Sequence, residues 1–465
     1  MFQHTSLEYE RTLGFGGFGL AAKYSQRDST GQHMRHVVVK APLTNDSSKL
    51  ESVQEEYKWY LRMKGMEHVP YLVDPLPIYR LSPPGINQPP NLIRTYEFEK
   101  YKERYLITEY LEHGELASLL ERLNVLDWEA AASGRNQRTY IPNRLLWRFL
   151  LCLTRACLAM AKPDAVQQWR AAELAKDPEI TNETLEEALV EVPYREKFEA
   201  NPENVVHFDI DPFNVFLGQV NDPSGEDKEH QYFKAVSRIQ LGDFGLAQQF
   251  QPKIDKRLLE SYRGRGKPTW SAPEQFVGIP PSMETWTYKT NLWGIGLVMC
   301  SLMTKARLSS DPILKLCRDA VFTYPNNEQI TVPRTYAYFL ENPNVGDGGE
   351  FQQYDADLRY TVATLMASSL DVRGTLDLLL ITVEGAIREG NDKALAGNLP
   401  PWETDEALQQ FIDLHLKYAP VVPFPAGAAL EAPVPGVQAN NGPGPGPGPT
   451  KNPVAVPDLQ LLFRR

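Results

Sequence analysis

The stretch HFDIDPFN, His207 to Asn214, sets an aspartate (Asp209) and an asparagine (Asn214) five residues apart behind a histidine, with a second carboxylate, Asp211, between them. If this loop handles phosphate, Asp211 puts an extra negative charge where the incoming anion would sit. Other residues point to the same chemistry. GFGGFG fits GxGxxG through Gly14, Gly16, Gly17 and Gly19, and backbone amides there could close over phosphates with no Cβ in the way; a Gly-rich hairpin with no ligand has the same composition. No helix signal follows the glycines and the strand pattern resumes, so the run reads as a hairpin flap and not as a dinucleotide turn. Lys40 ends the apolar strand VVVK, from which it could reach the α and β phosphates of a nucleotide or lie on the surface. Glu56 is spaced to pair with Lys40 and hold it extended, with Glu55 an equal alternative because one residue turns a helix by about 100°. In RYLITEYLEHGEL, connector backbone from Glu109 to Leu111 could bond an adenine edge while Glu115 faces the ribose; any strand-to-helix link has this form.

The elements that must hold these residues follow from periodicity. Residues 8 to 42 alternate apolar and polar around Gly-rich turns and predict a small antiparallel sheet. LESVQEEYKWYLRMKG predicts a helix, with Val53, Tyr57, Tyr60 and Leu61 recurring at helical spacing. Strands return in PYLVDPLPIY and, after SPPGINQPP, in NLIRTYEFEKYKERYLITEYL. From Glu115 onward helices dominate: ELASLLERL, NRLLWRFLLCLTRACLAMA and LWGIGLVMCSLM. Strands first and helices afterwards imply an α+β protein. Residues 162 to 204 and 219 to 232 read as an acidic and a solvated insertion. After about residue 420 the chain is too rich in Pro and Gly to offset its ordering entropy, which predicts a disordered tail. Its last residues, DLQLLFRR, suit a docking peptide or an inert terminus.

With 465 residues, 42% of them hydrophobic, the chain can bury one large or two ordinary cores. A net charge of −11 disfavours nonspecific attraction to nucleic acid or anionic lipid, so an anionic substrate needs local cations. Four cysteines without metal-ligand spacing fit a reducing compartment. The N-terminal MFQHTSLEYER lacks an apolar signal core, and the longest apolar run is too short to span a bilayer. These features lead to the expectation of a cytoplasmic or nuclear protein with no membrane and no nucleic-acid partner.

Taken together with LGDFGLA, the HFDIDPFNVF stretch resembles the catalytic loop and metal-binding motif of the eukaryotic protein kinases. WSAPEQF is similar to their APE motif, TNLWGIG to their core helix with Asn291 in place of Asp, and Arg373 stands where a late arginine pairs with the APE glutamate, here Glu274. The resemblance runs in order from about residue 8 to about 390. It implies a bilobal fold with a small β-rich N-lobe (1–108), a hinge (109–115), a larger helical C-lobe (116–418) carrying the two insertions, and a tail (419–465). It also implies ATP and Mg²⁺ as cofactors, protein substrates, and docking partners recruited through the insertions and tail. Asp209 would then accept the substrate hydroxyl proton, Asn214 and Asp243 would hold Mg²⁺, and Lys40 with Glu56 would position the phosphates. Asp243 would offer the hard metal a carboxylate oxygen and Asn214 a neutral one.

Several positions depart from that pattern. Phe208 replaces the arginine that would receive a phosphorylated activation loop. Asp211 replaces the lysine that in Ser/Thr kinases usually steadies the γ-phosphate, and a carboxylate there would repel it. Lys267, in GKPTWSAPE, occupies the place of a threonine that contacts both. We expect a reciprocal exchange in which Lys267 reaches Asp209 and Asp211 and supplies the missing ammonium from the other side, a span of roughly 6 Å. The alternative is drift after loss of activity. Asn291 can still accept a backbone N–H, without charge assistance. Ala21, where valine commonly packs on adenine, predicts affinity weaker by about 1 kcal/mol. Ser261, Tyr262, Thr269 and Ser271 are candidate phosphate acceptors, with Arg263 and Arg265 nearby. The segment before APE lacks the proline of tyrosine-accepting kinases, so Ser/Thr is the expected acceptor. The rival expectation is a pseudokinase acting as a nucleotide-binding or scaffolding module.

Overall fold

The computed structural model describes residues 6–15, 19–28, 30–42, 47–64, 66–73, 80–81, 92–93, 105–135, 138–163, 203–220, 237–250, 260–276, 286–305, 317–324, 326–341 and 351–417. Gly16 and Gly17, the tail from 419, and all but the edges of the insertions expected at 162–204 and 219–232 lie outside the described residues.

Strands β1 (Ser6–Phe15), β2 (Leu20–Arg27) and β3 (His33–Ala41) form an antiparallel meander. Its alternation turns Leu7, Val37 and Val39 into one small apolar cluster with Val73 and Ile107. Lys40 therefore leaves the opposite face. Helix α1 (Ser47–Arg62) follows, then the short paired strands β4 (Arg80–Leu81) and β5 (Leu92–Ile93). Strand β6 (Leu106–Glu109) joins the meander beside β3, giving the order β1-β2-β3-β6, with Lys40 opposite Leu106. On α1, Val53, Glu56, Trp59 and Tyr60 are buried, as is Met63 just beyond its end. Leu61, expected on the same face, is exposed because it falls on the far side of the helix from Glu56 and Met63. Trp59 takes the inward place, its indole N–H donating to Ala247 O at 3.2 Å.

The second half is built around α3 (Asn143–Ala161), preceded by α2 (Leu116–Ala132). Every residue of α3 is buried, and it packs on helices and strand alike, as its nearly unbroken apolar sequence demands. Beyond it β7 (Asn204–Val206), β8 (Val215–Val220), β9 (Ser237–Leu241) and β10 (Gln248–Phe250) form two antiparallel pairs, β7 with β10 and β8 with β9, that bracket the loop 207–214. Helix α4 (Lys289–Thr304) is pressed onto that loop: a Cβ built on Gly294 would stand 2.7 Å from the Cβ of Ile210. The chain closes with β11 (Arg318–Thr323), β12 (Gln329–Thr335), α5 (Ala356–Leu365), α6 (Leu376–Leu395) and α7 (Asp405–Ile412).

The α+β content matches expectation, but the rear is not helical throughout. β11 and β12 form an antiparallel hairpin whose Ala320, Phe322 and Val332 face the core while Val321 is exposed. RDAVFT carries the period-two pattern of a half-buried strand, a signal masked by the longer helical runs on either side.

Candidate functional site

Lys40 Nζ lies 2.6 Å from Glu56 Oε2 and 2.8 Å from Asp243 Oδ1, so strand β3, helix α1 and the turn after β9 converge on one ammonium. The structure selects Glu56 over Glu55, which is exposed and pairs with Lys58. Burial works against the charge of Lys40, but Glu56 and Asp243 together hold its pKa above the usual lysine range. Burial, reinforced by the charge of Asp243 and only partly offset by Lys40, pushes Glu56 up to about 7. Burial would also raise Asp243, yet the adjacent Lys40 holds it below the ordinary value, so Asp243 is the ionised member facing outward. Asp243 adopts the left-handed conformation (φ 59°), a backbone state that costs energy in a non-glycine residue and turns its carboxylate toward Lys40.

The loop 207–214 is fixed from beneath. Asn291 of α4 accepts the His207 backbone N–H at 2.9 Å through Oδ1 and donates through Nδ2 to Val205 O at 2.7 Å, so the amide spans both ends of the loop's entry. His207 is fully buried, and burial keeps it neutral. Because Asp209 N–H donates to Nδ1 (3.2 Å), the proton sits on Nε2, which donates to Gly242 O at 3.1 Å. Asn214 Nδ2 donates to Asp209 O and to Asp209 Oδ2, both at 2.8 Å, which immobilises the carboxylate and leaves its own carbonyl oxygen for another partner. Asp209 Oδ1 is buried and has no hydrogen-bond partner among the described residues.

Lys267 closes the site from a different segment. Its ammonium contacts Asp211 Oδ2 and lies 3.5 Å from Asp209 Oδ2, while resting over the ring of Phe213 at 5.3 Å. Asp211 is fully buried and accepts Phe213 N–H at 2.7 Å. Burial, with the charge of Asp209 adding to it, raises Asp211 to about 6 against the pull of Lys267. For Lys267 the two carboxylates outweigh burial and hold its pKa up.

The residues singled out for nucleotide contact are spread along the rim. Gly14 pairs with Ala21 across β1 and β2, and Gly19 sits so close to Ala41 O that no Cβ fits there. The Glu109 carboxylate is committed to Tyr71 N–H (2.9 Å) and Gln240 Nε2 (3.2 Å), and its own N–H donates to Tyr71 O at 3.0 Å. Leu111 is buried, and Glu115 accepts the Ser118 hydroxyl at 2.5 Å just before α2.

Residues 201–370 match the family model described as the protein kinase domain. A search of curated proteins finds similarity to a probable serine/threonine-protein kinase nek2 of Dictyostelium discoideum, 24% identical over 217 residues. Over these residues the chain is similar to the eukaryotic protein kinases. The match with the Dictyostelium kinase spans 46% of this chain and 34% of that protein. The kinase family match contains the loop 207–214, Asp243, Lys267 and Glu274, whereas Lys40 and Glu56 precede it and Arg373 follows it.

Arg373 nevertheless forms a bidentate pair with Glu274 at 2.7 and 2.8 Å, both side chains almost completely buried, and its guanidinium lies over Trp293. Nε donates to Ala367 O at 2.9 Å, so most of the fork is satisfied and the pair ties Glu274 to the helical core. Sequence reasoning did not find the aromatic cluster of Phe208, Phe250 and Trp286, with Tyr262 packed against it. Its members lie far apart in the chain, and the one local signal is an aromatic residue at 208 beside Asp209. Among the described residues no helix is long and apolar enough to cross a membrane.

Proposed function

We propose that the chain transfers the γ-phosphate of Mg-ATP to Ser or Thr hydroxyls of protein substrates, in a cleft between a small β-rich N-lobe (1–108) and a larger helical C-lobe (116–418) joined at 109–115. The observation that carries this reading is Asp209. One carboxylate oxygen is clamped by Asn214 at 2.8 Å and faced by Lys267 at 3.5 Å, while Oδ1 is buried and unpartnered among the described residues. A buried acceptor without a donor is costly in a finished fold, and a small shift that opens Oδ1 to the cleft would let a substrate hydroxyl complete it. The acceptor class rests on the name of the Dictyostelium relative.

The residues present fit magnesium. Asp243 offers a hard carboxylate oxygen and Asn214, its nitrogen occupied by Asp209, an uncharged one. Bound there, the ion would screen the phosphate charge during transfer. Lys40, fixed by Glu56, would bind the α and β phosphates, and the Gly14 to Gly19 hairpin would cover them. Backbone of Glu109 to Leu111 would meet the adenine and Glu115 the ribose. Lys267 would supply the positive charge that Asp211 cannot, so the exchanged pair works as a unit beside the moving phosphoryl group.

Transfer of labelled phosphate from Mg-ATP to a generic basic protein tests this. Asp209→Asn should lower kcat by about a thousandfold with little change in KM for ATP. Equal signal from parent and variant would reduce the chain to a nucleotide-binding or scaffolding module.

A further inference from the structure

The segment 260–267 is seated on a cluster of aromatic rings through Tyr262. Phe208, immediately before Asp209, is a bulky buried residue in the left-handed conformation (φ 68°), a state that persists only where the surroundings impose it. Those surroundings are rings. Tyr262 stacks on Phe208 with centroids 6.3 Å apart and planes 17° from parallel, and meets Phe250 edge-on at 5.3 Å. Trp286 lies 5.1 Å from Phe208 and stacks on Phe250 at 5.9 Å. Val206 and Leu246 complete the cluster.

The segment is fastened at further points. The Arg265 guanidinium sits 4.3 Å over the Tyr262 ring and donates to Leu246 O at 3.3 Å, while Arg265 O accepts from Gln275 Nε2 at 3.3 Å. Gly266 (φ 81°) then passes so close that a Cβ there would overlap the Phe208 carbonyl oxygen. The next residue is Lys267, on Asp211 and Asp209.

We propose that Tyr262, packed on Phe208, Phe250 and Trp286, is an aromatic latch that holds Lys267 against Asp209 and Asp211, so that the site is assembled in the unphosphorylated chain. The proposal rests on the kinase reading for its catalytic consequence and on geometry alone for the latch. Tyr262 is a positioning residue: its ring presses the segment against Phe208, and Gly266 permits the approach that brings the lysine within reach. The hydroxyl adds nothing to the stack, so the ring without it should serve equally.

The test uses the full chain, treated with a nonspecific protein phosphatase and checked by mass for absence of phosphate. Dephosphorylated parent should keep its kcat for transfer from Mg-ATP. Tyr262→Phe should stay within about twofold of parent, whereas Tyr262→Ala should lose about tenfold in kcat at unchanged KM for ATP. Amide exchange over 260–267 should be slow in parent and Tyr262→Phe and fast in Tyr262→Ala, with the thermal midpoint of the fold retained. Activity that vanishes on dephosphorylation, exchange unaffected by Tyr262→Ala, or faster exchange with undiminished kcat would each overturn the proposal. If the parent transfers no phosphate at all, the kinase reading fails separately, and the exchange pattern alone decides whether the latch exists.

Discussion

Two places in this molecule set one lysine between two carboxylates, and they are held in opposite ways. In the first, Lys40 stands on strand β3 and Glu56 on helix α1, with side chains 16% and 2% exposed, so both are fixed by regular structure. In the second, Asp209 and Asp211 lie in a loop and Lys267 arrives from a separate segment with a side chain 44% exposed. The difference teaches that equal charge arithmetic does not mean equal rigidity. The first cluster is part of the fold's core, whereas the second is formed only when two loops meet.

Deleting each ammonium would separate the two most strongly. Lys40→Ala strands Glu56, 2% exposed, opposite Asp243 on packed elements, and should destabilise the chain by about 3 kcal/mol. Lys267→Ala removes a side chain 44% exposed and lets Asp211, which burial already raises to about 6, take up a proton, so it should cost only about 1 kcal/mol of stability near that pH. Denaturant titration of both variants checks this, and equal losses would erase the distinction.

Exchange of partners gives the next contrast. Asp211→Lys alone crowds two ammonium groups together, and Lys267→Thr alone leaves Asp211 buried without its cation. Each should reduce kcat by tenfold or more, while the double variant should recover most of the loss, a coupling of about 1 to 3 kcal/mol. No such recovery is expected from reversing Lys40 and Glu56, because Asp243 would then face a carboxylate. Kinetics of the four proteins around the Asp211–Lys267 cycle measure the coupling. Additive losses would mean that the two residues do not act as a unit.

The unequal legibility of the two clusters has the same origin. Lys40 and Glu56 were readable because strand alternation and helical period fix where side chains point, and the one ambiguity, Glu55 against Glu56, was resolved by which face of α1 meets the core. The contact of Lys267 with Asp211 has no period behind it. It was anticipated because two departures from one family pattern carry complementary charge, and the structure brings the side chains together. The ring cluster around Phe208 had neither periodicity nor charge to mark it, since stacking among residues 208, 250, 262 and 286 is a property of tertiary placement alone. Hairpin β11–β12 was missed for a local reason: a short alternating run between long helical ones carries a weak signal.

The smallest effect expected concerns pH. Asp211, raised to about 6, takes up a proton in the folded chain at a pH where the unfolded carboxyl, near 3.9, does not. A folded pKa above the unfolded one gives stability that is complete below about pH 4 and is lost as pH rises through about 6. Asp211→Asn cannot titrate, so relative to parent it should gain about 1 to 2 kcal/mol between pH 4.5 and pH 7.5, after allowance for solvent reaching Lys267. Urea unfolding of both proteins at the two pH values measures the change. A parent that gains on the variant with rising pH would show that Lys267 dominates burial at Asp211.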